Sequence, residues 1–412
     1  MQPPSDAPPE PPSEGIATAG TTAYRLTLFV LVAALVGLVA LRVSTRRIDP
    51  ARTPLRPDIL VLHLAGLRAD SIDVEVLRDE LGIAPDRSVA FTNAFAPSND
   101  GTRSALSVLG GTLWLDMDQA PGADALPAML QAAGWRTLLV DDEGEVAGVA
   151  GEEFDSVARV GGPELQAAAI RTFWNSGSGP RFVFVHVGSG DDPLHADTTE
   201  SYVLRERYRL RLRALRMAAK SAADAATDSP PRPQLLAVVG ASGLELGEHP
   251  GSPNLPYDSQ LRVPFLFGLK NARGLPAKDH AVLVQTPDLT PTILDMLDLR
   301  SADERATDGE LRTSVSLEPY LHGWVPDIPH KALYFAAGRH GAVRTDAWKL
   351  IAPLQSPWLP RAEGAELYSL AEDPAEVHDL LDGRAMGPTA KRLFGDLGVR
   401  LNRVDGRRSS TP

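Results

Sequence analysis

Asp58-Ile59-Leu60-Val61-Leu62-His63-Leu64, running straight into Ala65-Gly66-Leu67-Arg68-Ala69-Asp70, is the stretch whose reading decides the fold. A short, nearly continuous apolar run bounded by a turn predicts a strand buried on both faces. A second run, Leu235-Leu236-Ala237-Val238-Val239, opens in the same way into Gly240-Ala241-Ser242-Gly243-Leu244-Glu245-Leu246-Gly247-Glu248-His249. Enzymes with open α/β sheets place ligands and catalytic groups at such strand ends. At both ends the residues that would do chemistry are Ala, Gly and Ser. The scaffold is there and the functional groups are not.

Working outward, further apolar runs fall at 137–140, 182–187 and 264–269, with helical patterns at 126–133, 164–174 and 199–226 between them. Strands alternating with helices predict an α/β fold, a mainly parallel sheet with helices on both faces. The segment 199–226 carries Arg205, Arg207, Arg209, Arg211, Arg213 and Arg216 beside an apolar line of Leu204, Tyr208, Leu212, Leu215 and Ala219. That spacing predicts one buried helix face. The arginines read as a solvated face, with an anionic partner or lipid headgroups as the alternative. Residues 300–313 read as a surface connection.

Several blocks, in order across residues 57–381, resemble the sulfatase branch of the alkaline-phosphatase-like superfamily. They are Leu67-Arg68-Ala69-Asp70; Asn93-Ala94-Phe95-Ala96-Pro97 through Ser104, Ser107, Leu109 and Gly111; Leu126-Pro127 with Ala133-Gly134-Trp135-Arg136-Thr137; and Leu246-Gly247-Glu248-His249 with Tyr257-Asp258 and Leu261-Arg262-Val263-Pro264. Asp288-Leu289-Thr290-Pro291-Thr292, Trp348-Lys349-Leu350 and Asp373-Pro374-Ala375-Glu376 continue the series. The resemblance implies a sulfatase-like α/β core over 57–313 and a small C-terminal sheet-and-helix layer over 314–403, ending in a loose tail at 404–412. It also implies sulfuric-ester hydrolysis, which needs a divalent cation and a nucleophile.

Carried over one position at a time, those groups are missing. The cation ligands of the first strand fall on Ala65 and Gly66, and those of the second on Ala241 and Ser242. The nucleophile falls on Gly101 and the basic residue after it on Ala105. Two further positions fall on Asp191 and Ser252. Cysteine is absent from the chain, so a cysteine-derived nucleophile is excluded. A hard cation needs several oxygen ligands, and Ala and Gly supply none. The expectation is therefore a catalytically inactive pseudo-sulfatase with no cofactor, acting by binding or scaffolding. The alternative is an ester hydrolase or transferase with Thr102 as relocated nucleophile, Asp191 and His195 beside it, and Ca²⁺ or Mg²⁺ held by groups such as Asp70, Asp100, Asp192, Glu248 or His249. Against it, Asp100 and Thr102 suit the cap of a helix starting near residue 103, and Asp191-Asp192-Pro193 reads as a turn. His63 and His186, inside apolar strands, read as hydrogen-bonded core histidines.

Hydrophobic content of 43% with 23% charged residues fits a globular chain. A net charge of −12 argues against a nucleic-acid partner. Residues 1–23 are proline-rich and predicted disordered. Leu26 to Leu41 is apolar apart from Thr27 and Gly37, between Arg25 and Arg42. Sixteen helical residues span ~24 Å, and flanking residues extend this towards the ~30 Å of a bilayer core. A cleaved signal peptide would need a basic leader and a small-x-small site, so 24–43 is expected to be a retained single-pass anchor, with 44–56 as linker. Arg42, Arg46, Arg47, Arg52 and Arg56 would hold the domain in the cytoplasm, whereas long domains translocate despite such charge. Resemblance to exported proteins tips the expectation to the extracytoplasmic side. The partner classes expected are the membrane and a protein or an anionic glycan.

Overall fold

In the computed structural model the described residues are 56–408, apart from 116–118, 189–199, 229–230, 251–253, 273–274, 276–277, 302–303, 306–312, 324–327 and 356–357. The expected anchor at 24–43 lies outside them, as do Asp191, Asp192, His195 and Ser252. Among the described residues no helix is long and apolar enough to cross a membrane.

The apolar runs pair as their composition dictates. β1 (Asp58–Ala65) is buried along its whole length and lies between β5 (Arg181–Val187) and β6 (Gln234–Ser242), parallel to both. β3 (Arg136–Asp141) and β4 (Ser156–Arg159) extend the sheet beyond β5 in parallel. On the other side come β7 (Phe265–Lys270), β2 (Ser88–Phe95) and β8 (His280–Gln285), giving the order β4-β3-β5-β1-β6-β7-β2-β8. β7 alone runs antiparallel to its neighbours β6 and β2. At the foot of the sheet Asp58, 1% exposed, takes two hydrogen bonds from the Arg181 guanidinium at 2.7 and 3.0 Å. The two charges are buried together because they satisfy each other and Arg181 also pairs with Asp228 and donates to the Trp174 carbonyl.

Alternate residues of β1 feed two cores. Ile59 and Val61 face α2 (Gly101–Gly110), α3 (Leu126–Ala132) and α4 (Glu145–Ala150). Leu60, Leu62 and Leu64 face α1 (Val74–Glu80), α5 (Pro163–Asn175) and α6 (Ser201–Ala225), through Leu77, Ile170 and Leu215 among others. Helices therefore cover both faces, as the alternation predicts.

A smaller antiparallel sheet follows: β9 (Leu333–Ala337), β10 (His340–Arg344), β11 (Trp348–Gln355), β12 (Leu359–Pro360) and β13 (Glu366–Ser369), the last pairing with β11. One face packs Val343, Leu350 and Leu367 against Leu393, Leu397 and Leu401 of α7, which spans Pro388–Arg408. The other packs Phe335, Ala342 and Ile351 against Phe95, Leu261 and Leu283 of the main layer. Period-two alternation thus glues the small sheet to the large one.

Candidate functional site

The carboxyl ends of β1, β5 and β6 and the start of α2 meet at one point. Ala65 ends β1 beside Ser242 of β6, after a register shift at Leu64/Ala65. Gly66 turns away at φ +80°, and its N–H donates to Ser242 Oγ at 3.4 Å. Gly101 opens α2, and a Cβ there would lie 3.3 Å from Ala65 Cβ and 3.7 Å from His186 Nε2. Ala241 is fully buried next to Ser242. Ala65, Gly66, Ser242 and Gly101, the positions where the resemblance to sulfatases leads one to expect cation ligands and a nucleophile, are therefore gathered in space. Of the four, only Ser242 offers a side-chain oxygen, and it already accepts from the Gly66 N–H; one hydroxyl cannot hold a hard cation by itself. Among the described residues no three His, Cys, Asp or Glu side chains converge as metal ligands. This donor set does not fit a divalent cation.

The helix start differs from expectation. α2 begins at Gly101, not near 103, because Asp100 is its cap and accepts from Arg103 N at 2.7 Å. Thr102 is no cap. It lies inside the helix, 5% exposed, and donates through Oγ1 to Glu145 Oε2 at 2.8 Å. Asp191 and His195, its expected companions, lie outside the described residues. Asp70 and Glu248 grip Arg68 at 2.7 and 2.8 Å rather than pointing to the strand tips.

His63 and His186 are buried and bonded to each other, with Nδ1 atoms 2.8 Å apart. His63 Nε2 meets Ser104 Oγ at 3.3 Å. Burial, then the neighbouring His186, holds His63 well below the usual imidazole range. Burial also lowers His186, although Asp141, Asp142, Asp100 and Glu145 pull it back up. Both rings are thus neutral near pH 7, and one proton sits between their Nδ1 atoms. His186 Nε2 faces Gly101 without a partner among the described residues.

Sequence reading missed the acidic loop Asp141-Asp142-Glu143-Gly144-Glu145 at the end of β3. It lies alongside this point: Asp141 is in register with His186, and Asp142 Oδ1 accepts from Gly188 N at 2.7 Å. Partial burial, Asp142 and Glu145 push Glu143 up to about 7. A strand end opening into four acidic residues in a run of five was the available signal. Arg211 of α6 also reaches this side, donating to Gly188 O and, at 3.3 Å, to Ala65 O. It leaves the arginine row expected to be solvated, whereas exposed Arg209 pairs with Glu206 as that expectation requires.

A cavity of about 340 Å³ lies between the loops after β1 and β6 and the small sheet, lined by Arg68, Glu248, His249, Asp258, Arg344 and Glu376 among others. Lys349, fully buried, stands behind it, 2.7 Å from both Asp258 Oδ1 and Glu376 Oε1. Arg344 donates to Asp258 Oδ2 at 3.0 Å and stacks its guanidinium 4.3 Å from the Phe95 ring. His249 is buried and stacked on Tyr257 at 3.6 Å, with Nδ1 on Glu245 and Nε2 on the Ala375 carbonyl. These charged groups are committed to one another.

No family profile and no curated protein matches the chain. Solved structures do. One, from work on glycosaminoglycan metabolism by Bacteroides thetaiotaomicron, superposes with a TM-score of 0.62 at 12% identity over 85% of this chain and 97% of its own. A 2-O GAG sulfatase gives 0.59 at 15% identity, covering 86% and 93%. The phosphonate monoester hydrolase of Agrobacterium radiobacter gives 0.58 at 13%, covering 85% and 96%. Identity this low speaks for architecture alone. The protein has the sulfatase fold of the alkaline-phosphatase-like class, complete in its layers and near full length against these structures.

Proposed function

We propose that this is a membrane-anchored pseudo-sulfatase: a protein of sulfatase fold that does not hydrolyse esters by the fold's usual chemistry and acts by binding. One observation carries the reading. The point where strand tips and helix start converge is built from Ala65, Gly66, Gly101 and Ser242, with Gly101 and Ala65 in near contact. Alanine and glycine can neither neutralise a cation nor attack an ester, and losing a nucleophile alone costs about a million-fold in the best-measured case. The apolar segment 24–43 supports anchoring, with the bulk of the chain on the extracytoplasmic side. No cofactor is required.

The competing reading keeps an ester hydrolase or transferase with Thr102 as nucleophile. The Thr102–Glu145 hydrogen bond favours it to the extent that a carboxylate stands ready to take the hydroxyl proton. Calorimetric titration of the full chain with Ca²⁺ and Mg²⁺, run beside turnover of 4-nitrophenyl sulfate and phosphate, separates the two. The binding reading expects no saturable metal uptake below millimolar and no turnover. Micromolar metal binding with turnover abolished by Thr102→Ala would replace it.

A further inference from the structure

The converged point has lost its family groups but is not featureless, and what faces it is acidic. Asp100 comes from the cap of α2, while Asp141, Asp142, Glu143 and Glu145 come from the loop after β3. Asp100, Glu143 and Glu145 are exposed, whereas Asp141 and His186 below them are 0% and 1% exposed. The two buried groups are cross-strand neighbours on β3 and β5. Each has one polar atom without a partner among the described residues: His186 Nε2 and Asp141 Oδ1. An unsatisfied buried polar atom costs free energy, and two adjacent ones beneath a polar rim mark a place where a donor is wanted.

We propose that this centre binds an organic cation, an ammonium or guanidinium group, with His186 Nε2 and Asp141 Oδ1 as its buried acceptors. The inference rests on the reading of the protein as a binder and names what it binds. An anion is disfavoured because five carboxylates surround the point and outnumber the one nearby guanidinium, Arg211, which donates to the carbonyls of Gly188 and Ala65 and lies close enough to Glu143 to oppose the rise of its pKa. A metal ion is disfavoured because it needs several ligands converging on one point, and no three such side chains converge among the described residues. An N–H cation instead uses acceptors spread over several directions.

The histidine pair can present the required acceptor without any net proton change. When His186 Nδ1–H donates to His63 Nδ1, His63 carries its other proton on Nε2 and donates to Ser104 Oγ. His186 Nε2 then bears a lone pair. The opposite order puts a proton on His186 Nε2 and would suit an anion. Neighbouring carboxylates and a bound cation select between the two, so ligand binding shifts a tautomer as well as filling a site.

The test uses the full-length chain labelled with ¹⁵N-histidine and titrated with N-acetyl-arginine methylamide. N-acetyl-glutamine methylamide and sulfate serve as comparison probes. Saturable movement of the pyridine-type Nε2 signal of His186 with the arginine probe alone is the expected result. Glu143→Gln with Glu145→Gln, both at exposed positions and so compatible with folding, should weaken it about tenfold. His186→Leu should abolish it. No saturation, equal movement with the glutamine probe, indifference to the rim variant, or binding of sulfate instead would each overturn the inference. Turnover of 4-nitrophenyl sulfate is followed in the same samples. Turnover would remove the binder reading. Absence of both turnover and arginine binding would remove only the cation.

Discussion

Two regions of this molecule lie at the same end of the main sheet and have opposite chemistry. At the tips of β1 and β6 the side chains are Ala65, Ala241 and Ser242, and the helix facing them starts at Gly101. Where the small sheet meets the main layer, buried Lys349, Arg344 and Glu376 and half-buried Asp258 form one paired cluster. The first region lies at strand ends, where open α/β sheets place ligands; the second joins the two layers. Charges at the seam are kept where removing one would strand its partner in a low-dielectric interior, whereas the strand tips and helix start carry none themselves and the carboxylates stand around them, on the cap of α2 and the loop after β3.

The sharpest way to break that contrast is to attack the seam. Lys349→Met leaves Asp258 and Glu376 buried without their ammonium, which should cost about 3–5 kcal/mol in urea unfolding. Adding Glu376→Gln should recover part of the loss, because the penalty belongs to the stranded carboxylate and not to missing contacts. A midpoint unchanged by Lys349→Met would show that the seam does not hold the layers together.

Acidity probes the same seam through His249 and Glu245. Burial opposes charge on both, but the Glu245–His249 hydrogen bond outweighs it, lowering Glu245 to about 2 and raising His249. Both ring nitrogens face acceptors, a carboxylate and the Ala375 carbonyl, so the ring is held as an imidazolium. Glu245's contribution is present above its ordinary value of 4.5 and lost as pH falls towards about 2. His249's is present below its ordinary 6.5 and lost as pH rises through its raised value. Thermal midpoints should therefore be highest between these limits, and His249→Gln should flatten the alkaline limb. An unchanged limb in that variant would remove the pair from the account.

How much of this was legible depended on whether the deciding contacts were local. β1, β5 and β6 announce themselves because both faces are buried and the sequence is apolar throughout. β2 (Ser88–Phe95) does not, since Thr92 and Asn93 interrupt it; its order comes from β7 and β8, far along the chain. The reversal of β7 is likewise tertiary. The inward turn of Arg211 was readable: it lies three residues after Tyr208 and four before Leu215, on the buried helix face. Reading the arginines as one row concealed it. Lys349 gave no such signal, because its burial depends on Asp258 and Glu376, distant in sequence. The acidic loop after β3 was in plain view at a strand end, but ending that strand at Val140 put Asp141 outside it.

At the tips the expected effects are smaller, and they differ between two glycines. Gly66 sits at φ +80°, and a Cβ there would meet Leu244 Cδ1 at 3.0 Å. Gly66→Ala should cost about 1–2 kcal/mol from the left-handed backbone alone. Gly101 has helical geometry, and its Cβ would meet only Ala65 at 3.3 Å and His186 at 3.5 Å. Alanine gains about 0.5–1 kcal/mol over glycine in a helix, and the tight contact offsets part of that. Gly101→Ala should therefore leave the urea midpoint nearly unmoved. A large loss there would mean the seat opposite His186 admits no side chain. The point would then be closed by packing against His186 and Ala65.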